Sequence, residues 1–118
     1  MPKTYHFIDV EQALELMGND KELYKEVLEM YLKEPQFSNK ELQQALLQHD
    51  YDKAQKLVHL LKGIAGTLGA TKLFEHCKTT DLVFKKKASG NITKLCQELY
   101  PLFSESFAEL EQIYTTLC

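Results

Sequence analysis

Apolar residues recur at helical spacing along almost the whole chain. In its central segment they follow one another at i, i+3, i+4 and i+7, at Ala54, Leu57, Val58, Leu61, Ala65 and Leu68. At about 100° per residue these positions fall on one helix face, which predicts a buried stripe. No segment shows the strict alternation of apolar and polar residues that is typical of a strand. The pattern predicts an all-α fold.

Capping residues and helix breakers divide this pattern into consecutive helices. The predicted helices run over 10–17, up to Glu34 before Pro35, from about 37 to 48, from Asp50–Asp52 to the stop at Gly69, over about 71–88, and over 92–117. The last is either one long helix or a kinked pair, because Pro101 lies inside it. We expect an antiparallel four-helix bundle over about 37–117, with one or two additional N-terminal helices packed against it.

A histidine among glycines is the most informative feature of the central helix. On the helical wheel His59, Gly63 and Gly66 lie roughly opposite the apolar stripe, with Gln55 beside them and Lys62 at the border. Each interior glycine costs about 1 kcal/mol relative to alanine, so the sequence predicts that something approaches this backbone closely. The alternative is tight packing between helices through small residues.

The same segment resembles the histidine-containing phosphotransfer (HPt) domains of multistep phosphorelays. Their motif is H-x-x-K-G followed by small residues and a late Gly-Ala, matched here by His59, Lys62, Gly63, Ala65, Gly66, Leu68, Gly69, Ala70 and Leu73. The likeness covers nearly the whole chain, from Asp9-Val10 and Tyr31-Leu32 to Asp50 and Cys77. Three positions depart from the family pattern: Ile64 where a small residue is usual, Thr80 where leucine is common, and Asp81 where glutamate or glutamine is common.

The resemblance implies a single domain over 1–118 that carries a phosphoryl group in two-component signalling. His59 would be the phosphoacceptor, because a neutral imidazole has a lone pair for attack on phosphorus. Lys62, with Lys85 as a further candidate, would stabilise the phosphate, and a partner would approach over Gly63, Gly66 and Gln55. The implied partners are receiver domains of response regulators or hybrid histidine kinases. The receiver domain would supply the acceptor aspartate and Mg²⁺. We therefore expect no metal, no bound cofactor and no autonomous catalysis in this chain.

Composition and charge limit the kinds of phosphate ligand, partner and cellular location that we expect. All 14 basic residues are lysines, so a guanidinium fork is excluded as a phosphate ligand. A net charge of −3 with no concentrated basic face argues against nucleic acid, and the short run Lys85–Lys87 is expected to be a solvated face unless Lys85 reaches His59. We expect neither a signal peptide nor a membrane span, because no apolar run reaches membrane-spanning length. Three widely spaced cysteines, Cys77, Cys96 and Cys118, fit a reducing compartment. We therefore expect a cytoplasmic monomer.

Two other classes of function stay open on the sequence. A helical adaptor could dock a signalling partner through the glycine-rich face without phosphorylation. An enzyme could use His59 as a general base, which would require a substrate pocket around it. Two further patterns are weak evidence for a binding site. The glycines are not a phosphate loop, because they lack the preceding strand and the Gly-Lys-Ser/Thr at its end. Glu75-His76-Cys77 is best interpreted as ordinary helix surface rather than a metal site.

Overall fold

The computed structural model describes residues 5–117, and these form six helices without any strand. The helices are α1 (Val10–Leu16), α2 (Lys21–Lys33), α3 (Asn39–Leu47), α4 (Tyr51–Leu68), α5 (Thr71–Phe84) and α6 (Ile92–Leu117). The predicted all-α fold is confirmed, as is the arrangement of a helical bundle with additional N-terminal helices. Among the described residues, none of these helices is both long and apolar enough to cross a lipid bilayer.

Five of the helices begin where the sequence offers a capping side chain. Asp9, Asp20, Ser38, Asp50 and Asn91 each accept a hydrogen bond from the backbone N–H three residues further along. Such caps satisfy backbone donors that the first turn of a helix leaves free. The cap at Asp50 fixes the start of α4, the helix that carries the histidine.

The end of α5 differs from the sequence prediction. The helix ends at Phe84 rather than near Ala88, because Lys86 adopts a left-handed conformation with φ of +60°. The N–H of Lys86 then donates to the carbonyl of Val83, and the N–H of Lys87 donates to that of Leu82. This hydrogen-bond pattern is a Schellman motif, which usually has glycine at the left-handed position. The sequence did not predict the end of α5 at this point, because a lysine rather than a glycine occupies the left-handed position.

Helix α4 lies at the centre of the packing. It packs against α5, α3 and α1, while α6 packs against α5, α2 and α3. The core stripe predicted for α4 is buried, except that Leu57 is only partly covered, and Ile64 is buried as well. The core also includes Tyr24 and Leu28 of α2, so it begins N-terminal to residue 37.

Helix α6 runs without interruption through Pro101, which decides between the two predicted forms of this segment. Its aromatic residues Phe103, Phe107 and Tyr114 are partly buried and pack on the edge of the core. One polar group breaks the apolar stripe of α6: the Ser106 hydroxyl is buried and has no hydrogen-bond partner.

The segment before α1 is tied to two other helices. The Glu109 carboxylate of α6 accepts hydrogen bonds from three consecutive backbone N–H groups, those of His6, Phe7 and Ile8. The N–H of Asp9 donates to the carbonyl of Gly69, at the end of α4, over 2.7 Å. These contacts hold α1 beside the second half of α4.

Candidate functional site

His59 lies on the exposed face of α4, as the helical periodicity predicted. Its side chain is 57% exposed. Gly63, one turn further along, borders solvent, and a Cβ atom added there would meet no atom within 4 Å. The imidazole therefore stands beside a bare stretch of helix backbone that another molecule can reach.

A buried carboxylate from α5 lies behind the imidazole. Asp81 Oδ2 is 3.5 Å from His59 Nδ1, and the Asp81 side chain is only 3% exposed. The same oxygen lies 3.4 Å from Lys62 Nζ and 3.0 Å from Lys85 Nζ. The other carboxylate oxygen accepts a hydrogen bond of 2.6 Å from Gln55 Nε2. One carboxylate thus joins four of the residues that the sequence analysis singled out.

These contacts decide the charge of Asp81. Burial by itself raises the pKa of this carboxyl, but hydrogen bonds from Gln55, Lys85 and His59, with the positive charge of Lys85, outweigh it and hold the pKa well below its usual range. Asp81 is therefore ionised at physiological pH. Its negative charge offsets part of the positive charge of the two ammonium groups.

The two lysines reach the site from different helices. Lys62 is on α4, three residues from His59, and its side chain is 25% exposed. Lys85 follows α5 directly, and its side chain is 42% exposed. Lys85 is therefore not simply part of a solvated run of lysines, because its ammonium group contacts the same carboxylate oxygen as that of Lys62. Both ammonium groups contact the carboxylate oxygen that also faces the imidazole.

The three glycines at the end of the motif have different surroundings. Gly63 borders open space, whereas a Cβ atom on Gly66 would lie 3.4 Å from the ring of Phe74 on α5. Gly69 adopts the left-handed conformation with φ of +78° and ends α4, as predicted, and a Cβ atom there would collide with the backbone oxygen of Asp9. Of these three glycines, Gly63 is therefore the one that another molecule can approach most closely.

A groove continues from this glycine face towards α1. It is lined by Leu16, Met17, Lys62, Gly63, Gly66, Thr67 and Phe74. Leu16, at the α1 end of this groove, is 67% exposed. The groove gives the face beside the histidine an apolar border.

The remaining candidate residues have structural partners. His76 Nε2 donates to the carbonyl of Leu95 over 2.8 Å, and Cys77 beside it is buried. Within residues 5–117 no group of three or more His, Cys, Asp or Glu side chains is arranged to hold a metal ion. Burial raises the pKa of the Cys77 thiol to about 12 and that of Cys96 to about 11. The third cysteine, Cys118, lies outside the described residues.

The residue that sequence reasoning missed is Asp81. In the sequence this residue stands out only as a departure from the family pattern, although it lies in line with Leu73 and Cys77 on the apolar face of α5. A carboxylate among buried apolar positions is itself a signal, because charged residues are rarely buried without partners. Helical spacing alone could not show which side chains of α4 these partners are.

An exposed histidine on a helical bundle, with two lysines and an open glycine beside it, agrees with the resemblance of this segment to histidine phosphotransfer domains. The family model of the Hpt domain matches residues 26–117, which include His59, Asp81 and both lysines of the site. The chain therefore belongs to the Hpt domain family, whose members are phosphotransfer carriers of two-component systems. Neither the comparison with curated proteins nor that with solved structures finds a match.

Proposed function

We propose that His59 accepts a phosphoryl group from the aspartyl phosphate of a receiver domain, or from a kinase, and passes it to another receiver domain. The observation that carries this proposal is the orientation of the exposed imidazole. Nδ1 faces Asp81 at 3.5 Å, so Nε2 is the nitrogen left for attack on phosphorus. In the transfer, Nε2 forms the bond to phosphorus while the donor oxygen–phosphorus bond breaks and its electron pair stays on the donor carboxylate.

Lys62 and Lys85 stabilise the phosphorylated histidine in this proposal. A phosphoryl group brings about two negative charges, and each ammonium group acts on it as a point charge. The attraction is modest at a partly exposed site, on the order of 1 kcal/mol for each lysine. A modest attraction suits a carrier, because the phosphoryl group must leave again.

The partner completes the reaction centre. Phosphoryl transfer depends on positioning and on neutralising charge, usually with a divalent cation. We propose that the receiver domain supplies both the aspartate and Mg²⁺, so this chain is a carrier rather than an enzyme. The open backbone at Gly63 lets the rim of the receiver site come close to His59. Leu16, Met17 and Phe74 offer it an apolar contact surface.

The cellular setting follows from the same chemistry. Receiver domains and their kinases exchange phosphoryl groups in the cytoplasm, and the free buried thiols of Cys77 and Cys96 suit its reducing conditions. We propose that the protein works there as a monomer, because the His59 face has to remain open to successive partners.

Phosphotransfer from a phosphorylated receiver domain tests this proposal directly. The protein is incubated with phosphorylated receivers and Mg²⁺ and followed by intact mass, with His59→Gln as the paired variant. We expect a gain of one phosphate that is labile in acid, stable in base and absent in His59→Gln. His49→Gln is the control, since this histidine is remote from the cluster and should not affect the gain.

The competing functions predict other results. A helical adaptor would bind receiver domains equally well with and without the His59→Gln substitution and gain no phosphate from a broad panel of them. An enzyme with a general base would require a substrate pocket around the histidine, whereas more than half of the imidazole surface is exposed. Transfer to the parent chain and to His59→Gln alike would place the acceptor elsewhere and refute the assignment of His59.

A further inference from the structure

The charged residues of this domain are divided unevenly between its helices. Residues 50–91, which form α4, α5 and the turns beside them, carry eight lysines and four carboxylates. The other described residues, 5–49 and 92–117, carry five lysines and 13 carboxylates. No concentrated basic face was expected from the sequence, because lysines of two different helices become neighbours only when α4 and α5 pack side by side. The net charge of −3 is therefore the sum of a positive helix pair that forms the site and an acidic remainder.

Two exposed lysines border the site without contacting Asp81. Lys56 precedes His59 by three residues on α4, and Lys78 precedes Asp81 by three residues on α5. Residues three apart on a helix are surface neighbours, so both lysines lie beside the candidate site. Within residues 5–117, the ammonium group of neither lysine forms an ion pair or a hydrogen bond. Together with the two lysines that contact Asp81, they form a positive patch that we call the lysine surface.

Resting on the phosphotransfer function proposed above, we propose that the lysine surface is a docking surface that guides the acidic active-site face of a receiver domain onto His59. A centre that holds an aspartyl phosphate and Mg²⁺ needs further carboxylates for the metal, so it carries about two negative charges in total. The lysine surface attracts this centre. The remainder of the domain, with 13 carboxylates against five lysines, repels it. The two effects turn His59 towards the phosphoryl group before the proteins touch.

This kind of docking suits a carrier that meets several partners. Charges at the rim of an interface mainly raise the association rate, whereas the dissociation rate depends on the groups that are buried in contact. The lysine surface thus speeds capture without slowing release. A receiver domain fits this small patch better than a nucleic acid does, because a long polyanion would extend past α4 and α5 to the acidic remainder of the domain.

The salt dependence of association tests the proposal. The partner is the receiver domain that binds most tightly in the phosphotransfer panel, labelled with a fluorophore and loaded with beryllofluoride and Mg²⁺ to imitate its phosphorylated state. Stopped-flow fluorescence gives the association rate at about 20 mM and about 500 mM salt, where the Debye length falls from about 20 Å to about 4 Å. We expect association to slow about tenfold over this range. If overall charge governed the encounter, two acidic proteins would repel each other and salt would speed association, which would overturn the proposal.

Two double variants of equal overall charge separate the position of the lysines from their number. Lys56→Gln/Lys78→Gln removes two charges from the lysine surface. Lys21→Gln/Lys33→Gln removes two exposed lysines from α2, which packs against α6 and α1. At about 20 mM salt we expect the first pair to slow association about three- to fivefold, as two charges about 10 Å from a doubly charged centre would. The second pair should associate at the parental rate.

The remaining outcomes distinguish docking from chemistry. Both double variants should accept phosphate from phosphoramidate as the parent does, because this small donor needs no docking surface. Loss of that phosphorylation in Lys56→Gln/Lys78→Gln would place these lysines in the chemistry and overturn the proposal, as would equal slowing of association by both pairs or by neither. If receivers associate in the expected salt-dependent way but transfer no phosphate, the proposed function fails and the docking surface stands. If no receiver domain binds, both fail.

Discussion

Replacing each glycine of the motif by alanine should give three different effects on stability. At Gly63 the new methyl group meets open space within a helix, so only the helix propensity changes. We expect Gly63→Ala to raise the free energy of unfolding by about 1 kcal/mol. At Gly66 the methyl group contacts the Phe74 ring at 3.4 Å, and the gain should lie between zero and about 1 kcal/mol.

Gly69→Ala should be strongly destabilising. The left-handed conformation, with φ of +78°, costs an alanine about 1–2 kcal/mol. The methyl group would also collide with the Asp9 backbone oxygen and disturb the hydrogen bond from the Asp9 N–H to the Gly69 carbonyl, which is worth about 1 kcal/mol. Together these terms lower the free energy of unfolding by about 2–3 kcal/mol.

Urea unfolding followed by far-ultraviolet circular dichroism measures all three variants under the same conditions. The order of stability should be Gly63→Ala, then Gly66→Ala, then the parent, then Gly69→Ala, with the extremes about 3–4 kcal/mol apart. A destabilised Gly63→Ala would mean that its Cβ direction is not open. A Gly69→Ala variant as stable as the parent would refute the left-handed stop and its contact with Asp9.

Gly63→Ala also tests the proposed approach of the partner. The added methyl group projects towards the incoming receiver domain, so phosphotransfer should slow at least several-fold although the fold is more stable. Because the stability rises, partial unfolding is excluded as the cause of a slower transfer. Transfer at the parental rate would show that the receiver does not need the bare backbone at this position.

Three further predictions concern the remainder of the fold. Glu109→Gln should lower the free energy of unfolding, measured in urea, by about 1–3 kcal/mol, because the charged carboxylate accepts hydrogen bonds from three backbone N–H groups. An unchanged free energy of unfolding would refute the role of Glu109 in holding the segment before α1. Ser106→Ala should gain about 1 kcal/mol in the same assay by removing a buried hydroxyl without a partner, and a loss would point to an undetected hydrogen bond. In a Cys118→Ser background, native Cys77 and Cys96 should resist a thiol reagent at pH 8 until the chain unfolds. Their raised pKa values of about 12 and 11 favour the native state below the ordinary thiol pKa. Above about pH 9 the unfolded chain ionises first, so stability falls, and it should fall less steeply in Cys77→Ala.

Much of the fold follows from local signals. Helical periodicity predicted every helix, and the predicted starts at residue 10 and at Asp50–Asp52 are capped by the side chains of Asp9 and Asp50. The exception is the end of α5, where the left-handed stop at Lys86 carries no glycine. Whether α6 would continue through Pro101 was also open, because packing along the bundle decides it and the local sequence does not.

The candidate site also has one part that the sequence predicted and another that only the structure showed. The relative positions of His59, Lys62 and Gly63 follow from the 3.6-residue repeat of one helix, so the sequence alone placed them together on an exposed face. Asp81 is 19 residues beyond Lys62 and on another helix, and Lys85 follows it on the same side. Their contacts with α4 depend on how α4 and α5 pack. Local periodicity therefore determined which groups face the solvent, and only the tertiary structure decided that a buried carboxylate joins them, because its position depends on the register between two packed helices.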